Sequence, residues 1–367
     1  MLDWFSANAR DLPWRRTRDP YAIWVSEIML QQTQVKTVIP YWERWMRELP
    51  TIKAVANASP DKIHKLWEGL GYYTRVRNLQ KAARQIVEKH DGKFPDNFDD
   101  VLALPGVGRY TAGAICSIAF NQPTPILDGN VIRVLTRVFG ISQNPREKKT
   151  NAQLWQLAKN LVGRTVPTLL RRSRDTAPYH SFLNQSVMEL GALICIPRNP
   201  DCPACPLKKL CIAFREDRVN ELPNLGKRPP STARHFIAFV VEQRGHFLVR
   251  QRPAGVVNAH LWEFPNVECT NSEADVKQIF KTIFSIKPAR IRPLCTVKHS
   301  ITRYRITLEA WRVSFGGASS MRPNNFKMGH RRTPPSKIGV WLSPAKLDSL
   351  ALTSAHRKIL RRLQHSQ

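Results

Sequence analysis

Apolar residues recur at intervals of three and four along the first part of the chain, and this spacing predicts amphipathic helices. One such segment covers residues 28–42 and another covers residues 79–87. Ser59 followed by Pro60 marks the start of a further helix, because a serine side chain caps a helix and proline fits its first turn. The pattern over residues 1 to about 216 therefore predicts an almost entirely helical domain.

The amino-acid composition and the spacing of apolar residues change beyond Asp217. The segment 221–234 (ELPNLGKRPPSTAR) is rich in proline, glycine and basic residues, which indicates an interdomain linker. Apolar and polar residues then alternate over 236–240 and 247–249 on either side of Gly245. This alternation predicts a β-hairpin and hence a second domain that contains a sheet.

Further elements of the second domain follow along the chain. They are a helix at 276–283, strands at 304–308 and 338–342, and a long basic loop at 314–337. We therefore predict an all-α domain over 1–218, a linker over 219–234 and a mixed α+β domain over 235–367.

The chain is strongly basic, with 57 Lys and Arg against 28 Asp and Glu and a net charge of +29. Such an excess favours an anionic partner, and nucleic acid is the expected one. A membrane surface is the alternative, but no basic amphipathic helix stands out. No run approaches the ~20 apolar residues of a membrane span, and the N-terminus does not resemble a signal peptide. We expect an intracellular, cytoplasmic protein, associated with the nucleoid if it is bacterial.

Four cysteines form the sharpest motif, Cys195-x6-Cys202-x2-Cys205-x5-Cys211. In a reducing compartment such a set is better explained by metal ligation than by disulfides. Four thiolates suit either zinc or an iron–sulfur centre. A closed zinc site more often uses two CxxC pairs, whereas this motif has one pair and two wider steps, so an iron–sulfur cluster is favoured.

Residues 104–108 (LPGVG) lie between two helical patterns. Gly106 and Gly108, two positions apart, allow a tight turn that exposes successive backbone N–H groups at a helix N-terminus. Such a turn binds a phosphate without reading sequence. A GxG pair alone is usually only a turn, so the context carries this prediction.

Two carboxyls are candidates for chemistry. Asp128 precedes an apolar-periodic helix and would by default be its N-cap. Glu27 stands in an apolar helical stretch, where a carboxyl without a partner or a function would be costly. Burial would raise its pKa and keep it protonated near neutral pH, as a general acid requires. A salt-bridged glutamate is the alternative.

The cysteine spacing resembles the cluster loop of the endonuclease III superfamily of DNA repair glycosylases, where it holds a 4Fe–4S cluster. The LPGVG turn resembles the helix–hairpin–helix DNA-binding motif of the same superfamily. Bifunctional lyases carry a lysine two positions after Gly108, where this chain has Tyr110. With this tyrosine and with the segment 24–35 (WVSEIMLQQTQV), the first 216 residues of the chain resemble the MutY-type adenine DNA glycosylases.

The resemblance implies roles for individual residues. Glu27 would protonate adenine, ionised Asp128 would stabilise the cationic sugar, and Asn130 and Tyr110 would orient these groups. The target nucleotide would be flipped out of the duplex. The positions that match the family's adenine pocket and DNA contacts are Trp14, Arg15, Leu30, Gln32, Leu70, Gly71, Tyr72, Gly106, Gly108 and Gln185. Tyr72 would be the wedge beside the opposite base, with an ordinary core tyrosine as the alternative.

The second domain resembles the Nudix-like domain of MutY proteins from residues 253–265 (PAGVVNAHLWEFP) onward. The residues after it lack the glutamate-rich helix of a Nudix hydrolase, so we expect no pyrophosphatase activity. In the family this domain recognises 8-oxoguanine through a Phe-Ser-His loop. The matching residues here are Ile301, Thr302 and Arg303, of which only Thr302 retains a hydroxyl.

The resemblance therefore implies a monomeric, monofunctional enzyme of base excision repair that hydrolyses adenine from A:8-oxoguanine or A:G mispairs in double-stranded DNA. A bifunctional lyase for oxidised pyrimidines is the nearest rival, and Tyr110 and the second domain argue against it. A non-enzymatic iron–sulfur DNA-binding regulator is the second rival. It would need neither Glu27 nor Asp128.

Overall fold

The computed structural model describes residues 1–163, 179–226, 230–269, 275–286, 288, 290–314 and 338–364. By their contacts they divide into two compact units. The first, here called the helical unit, comprises Met1–Ala58 and Arg75–Arg228. The second, the mixed unit, comprises Ser59–Thr74 and Pro229–Gln367. Most of the predicted basic loop at 314–337 lies outside the described residues.

The helices of the described residues include two short 3-10 turns, Pro13–Arg15 and Lys208–Leu210. The α-helices are, in chain order, α1 Leu2–Asn8, α2 Pro20–Leu30, α3 Val35–Glu48, α4 Ile52–Asn57, α5 Pro60–Trp67, α6 Thr74–Lys89, α7 Phe98–Leu102, α8 Arg109–Phe120, α9 Gly129–Val138, α10 Lys148–Gly163, α11 Tyr179–Leu193, α12 Ile212–Arg215, α13 Val276–Phe284, α14 Pro344–Ser349 and α15 Ser354–Gln364.

Helix α2 is the buried centre of the helical unit. Nine consecutive residues, from Tyr21 to Met29, are buried, which is typical of a helix that is apolar on every side. Trp24 within it is fully buried and packs against Phe94 at a ring distance of 5.5 Å. Because α2 is enclosed, any polar side chain on it is held in a low-dielectric environment.

The single helical segment predicted over 28–42 is wrong: α2 ends at Leu30 and α3 begins at Val35. A distant cation stabilises this break: Arg75, near the start of α6, donates to backbone carbonyl oxygens at the end of α2. These acceptors are Ile28, Met29 and Gln31, at 3.0, 2.9 and 2.5 Å. The last carbonyls of a helix lack internal partners, so a buried guanidinium that binds them stabilises the helix end.

The mixed unit is built on a sheet. Its described strands are β1 Thr232–Gln243, β2 His246–Gln251, β3 Trp262–Glu263, β4 Asn266–Cys269, β5 Arg290–Ile301, β6 Tyr304–Ser314 and β7 Val340–Leu342. The strand order is β3-β2-β1-β6-β5, with β4 beside β1 and β7 beside β2. Strands β1 and β6 are parallel, and β5 and β6 form an antiparallel hairpin. An apolar cluster lies on each face, one with α13 and the other with α14 and α15.

The hairpin predicted around Gly245 is confirmed, as β1 and β2 are antiparallel neighbours. The predicted helix at 276–283 is α13. Strand β5 was not predicted. The predicted strand at 338–342 forms only from Val340. Among the described residues, no helix combines the length and apolar character needed to cross a bilayer.

Both ends of the predicted linker at 219–234 are ordered. The Leu222 carbonyl accepts a hydrogen bond from Arg137 at 2.9 Å, and Leu222 is buried in the helical unit. Strand β1 begins at Thr232. The segment Ser59–Thr74, placed by sequence in the first domain, groups with the mixed unit. There Arg357 pairs with Glu68 at 2.8 Å.

Candidate active site and DNA-binding elements

Glu27 lies on α2 and is only 6% exposed. Burial raises its pKa from 4.5 to about 7, because the charged form loses its hydration. A hydrogen bond from Tyr110 opposes this shift, the charge of Asp128 adds to it, and the charge of Arg15 again opposes it. The group therefore holds a proton close to neutral pH.

Tyr110 lies on α8 and reaches across to α2. Its hydroxyl donates to Glu27 Oε2 at 3.0 Å and contacts Met188 Sδ at 3.5 Å. Burial and the nearby carboxyls raise the pKa of Tyr110 well above its usual value, so it remains a neutral donor. Met188, from α11, was not singled out by sequence because such a contact joins helices far apart along the chain.

Asp128 is the N-cap of α9. Its Oδ1 accepts from the backbone N–H of Val131 at 2.7 Å, and its Oδ2 accepts from Asn130 Nδ2 at 2.9 Å. Burial raises the pKa of Asp128, whereas these hydrogen bonds and the charge of Arg133 act to lower it. Arg133 also donates to Asn130 Oδ1 at 2.8 Å, which fixes the Asn130 amide.

Arg15 is held by a buried acid that sequence reasoning did not assign. Glu189 on α11 accepts from both Arg15 and Arg10, with its closest contacts at 2.8 and 2.7 Å. Burial alone would raise the pKa of Glu189, but these bonds hold it at about 2. Its position in a mostly apolar helical segment was the available signal. The charge of Arg15 acts on Glu27, so this ion pair borders the same site.

The other predicted pocket residues lie on three elements of the helical unit. Trp14 is buried in the first 3-10 turn and packs edge-on against Trp42 at 6.0 Å. Leu30 ends α2, and Gln32 follows it, exposed and with a left-handed φ of 56°. Gln185 on α11 is buried and donates to Ser181 Oγ at 3.0 Å. Within the part of the chain that is described, none of them hydrogen-bonds to Glu27.

Leu70, Gly71 and Tyr72 group with the mixed unit. Gly71 and Tyr72 both have positive φ, 73° and 48°, so the chain turns sharply here. Trp67 Nε1 donates to the Gly71 carbonyl at 3.0 Å. Tyr72 is 46% exposed, which excludes the ordinary core tyrosine considered from sequence. A large exposed aromatic on a tight turn is a suitable shape for stacking on a base.

The LPGVG segment joins α7 to α8 as a hairpin. Gly106 has φ of 80°, and a Cβ there would lie 2.7 Å from Asn78 Cβ, so only glycine fits. Gly108 is the N-cap of α8 and has open space around it. The first N–H groups of a helix lack internal partners. The hairpin can therefore present them to an anion.

The four predicted cysteine ligands are free thiols that line one cavity beside α9 and α11: Cys195, Cys202, Cys205 and Cys211. Buried Arg137, which sequence reasoning missed, donates to Cys195 Sγ at 3.3 Å and to the Ile196 carbonyl at 2.8 Å. Within the described residues, no three His, Cys, Asp or Glu side chains meet closely enough to hold a single metal ion. The thiols instead surround a space.

Thr302 lies in the turn between β5 and β6, with φ of 52°. It is exposed, and its hydroxyl donates to the Ile301 carbonyl at 2.7 Å. The Arg303 guanidinium lies 5.2 Å from the centre of the Tyr304 ring. The turn thus places a hydroxyl and a cation at the end of the β5–β6 hairpin.

Comparison with known proteins first defines the class. Residues 25–160 match the HhH-GPD superfamily of base excision DNA repair proteins, and residues 237–362 match the NUDIX domain. The structure of a thermostable thymine-DNA glycosylase is similar, with a TM-score of 0.51 and 30% identity over 59% of this chain and 93% of that one. The chain is thus a helix–hairpin–helix DNA repair protein joined to a Nudix-like domain, and the predicted fold class is confirmed.

Relatives then define the family. The adenine DNA glycosylase of Homo sapiens is 34% identical over 426 residues, which cover 100% of this chain and 74% of that protein. That of Buchnera aphidicola subsp. Acyrthosiphon pisum (strain APS) is 39% identical over 270 residues, 72% of each chain. The chain belongs to the adenine DNA glycosylase family. The resemblance to MutY-type enzymes is confirmed.

Proposed function

We propose that this protein hydrolyses the N-glycosidic bond of adenine mispaired with 8-oxoguanine, or with guanine, in duplex DNA. The observation that carries the proposal is the buried Glu27 carboxyl, whose pKa is about 7, bound to Tyr110 and close to Asp128. Two carboxyls in different protonation states are the basic requirement of glycosidic hydrolysis. The names of the relatives supply the base, adenine.

Glu27 acts as the general acid. A general acid is most effective when its pKa lies near the working pH. Protonated Glu27 donates to a ring nitrogen of adenine, which makes the base a better leaving group. The neutral Tyr110 hydroxyl holds Glu27 Oε2 and so directs the other carboxyl oxygen at the base.

Asp128 stabilises the positive charge that develops on the sugar, and water completes the reaction to an abasic site. Its two oxygens are fixed by the Val131 N–H and the Asn130 amide. These donors favour the ionised form that the role requires. Asn130, held in turn by Arg133, orients the carboxylate.

The enzyme is monofunctional. Strand cleavage by a bifunctional glycosylase needs an amine that forms a Schiff base with the sugar. The position after Arg109 is occupied by Tyr110, a phenol engaged with Glu27, which cannot form that bond. Strand scission is therefore expected only after alkali or a second enzyme.

Duplex DNA contacts the protein at several elements. Trp14, Arg15, Leu30, Gln32 and Gln185 form the adenine pocket. Leu70, Gly71 and Tyr72 contact the opposite strand, Gly106 and Gly108 bind a backbone phosphate, and Thr302 reads 8-oxoguanine. The protein acts as a monomer, with a catalytic domain over 1–218, a linker over 219–234 and a lesion-recognition domain over 235–367.

A 4Fe–4S cluster bound by Cys195, Cys202, Cys205 and Cys211 completes the helical domain. The donor set fits, because all four free thiols line one cavity and iron–sulfur clusters are held by four cysteine thiolates. A cluster held there would tie the loop to the end of α11 through Cys195 and to the start of α12 through Cys211. Arg137, which donates to Cys195 Sγ at 3.3 Å, would stabilise that sulfur as a thiolate ligand.

One assay tests the proposal against its rivals. Duplexes with adenine opposite 8-oxoguanine, guanine or thymine are incubated with the purified protein and divided, and one half is heated in alkali. Cleavage after alkali only, and only of the first two duplexes, is the expected result. Cleavage of these duplexes without alkali would identify strand-cleaving activity. A fourth duplex with an oxidised pyrimidine separates the two rivals, because the lyase would cut it without alkali and the regulator would bind it without cleavage.

The same assay tests Thr302. Thr302→Ala should lower the preference for 8-oxoguanine over guanine about tenfold or less, since a bidentate contact to a base contributes about 1–3 kcal/mol and one hydroxyl supplies at most about half of such a contact. Lys298→Ala, an exposed change on the same strand β5, is the control. An unchanged ratio in Thr302→Ala would show that this hydroxyl does not read the lesion.

A further inference from the structure

Four arginines gather at the end of the sheet opposite the Thr302 turn. They line one concave surface with Glu242 and Ser314, and we call it the arginine face: Arg244, Arg290, Arg292 and Arg312. Among the described residues of the lining, Glu242 is the only acid, and it accepts from Arg312 at 2.7 Å. The described lining therefore carries a net charge of +3, from four arginines and one glutamate.

Strand register explains why the arginines share a face. Arg292 lies directly opposite Arg312, and Arg290 lies opposite Ser314. Alternate residues of a strand point to the same side. On β6, Leu308 and Ala310 have the same parity as Arg312 and belong to the apolar cluster of α14 and α15. The sheet face that packs against α14 and α15 thus carries the arginines where it extends beyond the apolar cluster.

Two features of the arginine face are unfavourable to the fold alone. Arg292 lies directly opposite Arg312 in the β5–β6 pair. Like charges in opposite positions disfavour strand pairing. Arg244 has φ of 50° and precedes Gly245 with φ of 72°, in a two-residue turn that favours Asn or Gly at both positions. A β-sheet that only had to fold would gain from replacing these arginines.

The guanidinium groups are available to a ligand. In the part of the chain that the structure describes, the side chains of Arg244, Arg290 and Arg292 form no hydrogen bond or ion pair. Arg290 and Arg292 are exposed on one strand, and Arg244 is exposed on the adjoining turn. Several guanidinium forks that converge on one concavity suit the oxygens of a phosphoryl group.

We propose that the arginine face is a second phosphate-binding site, occupied by the backbone of duplex DNA away from the mispair. This inference rests on the proposed DNA-binding function. Arg312 lies ten positions after Thr302 along β6, which is roughly 34 Å at about 3.4 Å per residue. That length is about one helical turn of B-DNA. The site therefore extends the contact beyond the lesion without reading sequence.

The salt dependence of DNA binding tests the site. Each phosphate contact adds about 0.9 to the slope of log K against log salt concentration. For an undamaged duplex of about three turns, Arg290→Gln with Arg292→Gln should lower the slope of the full-length protein by about 1 to 2. The matched control is Lys277→Gln with Lys281→Gln, which removes the same charge from exposed positions on α13. It should leave the slope unchanged.

A second variant separates binding from folding. Arg244→Gly removes a charge from the arginine face at a left-handed position where glycine is unstrained. It should preserve thermal stability and still lower the slope by up to about 1. Single-turnover adenine excision at saturating enzyme should be unchanged in every variant. If the unaltered protein did not excise adenine at all, the proposed function would be refuted. The salt slope for undamaged DNA would still test the arginine face.

Inorganic pyrophosphate, titrated calorimetrically, distinguishes the source of the phosphoryl group. One outcome is that the slopes do not change, but one pyrophosphate binds to the unaltered protein and none binds to Arg290→Gln/Arg292→Gln. The arginine face would then be a site for a free phosphate compound and not for DNA. Unchanged slopes without pyrophosphate binding would overturn the proposal.

Discussion

Replacing Glu27 by glutamine should stabilise the folded protein in alkaline solution while it slows the excision of adenine. Folded Glu27 keeps its proton up to a pH of about 7, whereas a free glutamate releases it above its usual pKa of 4.5. Between these values the unfolded chain binds fewer protons than the folded chain. The free energy of unfolding of the unaltered protein therefore falls as the pH rises through this window. Glutamine, which does not titrate, escapes this loss.

The size of the effect follows from the pKa shift. A shift of about 2.5 pKa units corresponds to about 3 kcal/mol at 1.36 kcal/mol per unit. The Glu27→Gln variant and the unaltered protein should thus respond alike below pH 4.5. Their difference should grow to about 3 kcal/mol above pH 7. Over the same range, excision by the variant should be at least about 10²-fold slower, as expected for a missing general acid.

The assay is urea unfolding, followed by the circular dichroism of the helices at several pH values. Glu43→Gln, which replaces an exposed carboxyl on α3 in the same unit, is the matched control for the loss of one carboxyl group. Single-turnover excision is measured on the same preparations. A Glu27→Gln effect on stability that is equal at acid and alkaline pH would refute the raised pKa, and near-normal excision would refute the role of Glu27 as the acid.

Three further substitutions test the remaining parts of the site. Tyr110→Phe removes a hydrogen bond that lowers the pKa of Glu27, so the pH at which the excision rate falls by half should rise; an unchanged midpoint would contradict the contact. Asp128→Asn should keep thermal stability, because asparagine is a good N-cap, yet lose at least about 10²-fold in rate; a normal rate would exclude Asp128 from the chemistry. Cys202→Ser should lower the iron content from about four per chain and bleach the brown colour, and colourless, active unaltered protein would exclude the cluster.

Features with a local cause could be predicted from the sequence. Ser59 caps α5 by accepting from the Lys62 N–H at 3.3 Å, and the LPGVG turn forms the hairpin before α8. Both depend on residues three to five positions apart. The burial of Glu27 was also predictable, because the apolar residues around it on α2 leave no polar face.

Features with a long-range cause could not be predicted. Arg15 and Glu189 are 174 positions apart, and Arg75 binds the carbonyl of Gln31, 44 positions before it, at the end of α2. No local pattern distinguishes such an arginine from a solvated one. Strand β5 escaped notice because Arg290 and Arg292 stand where an ordinary strand would present alternating apolar residues to a core. Its position depends on pairing with β6, which composition does not encode.

The two interpretations of Asp128, as helix cap and as catalytic carboxylate, turn out to be one property. Both carboxyls of the proposed mechanism are buried, and burial raises the pKa of each. They differ in their donors: Glu27 has a neutral phenol, whereas Asp128 has a backbone N–H at a helix N-terminus, a side-chain amide and the charge of Arg133. A helix N-terminus favours an anion. The cap is therefore the physical means by which Asp128 can stay ionised beside a protonated Glu27, and α9 contributes to the chemistry by its position alone.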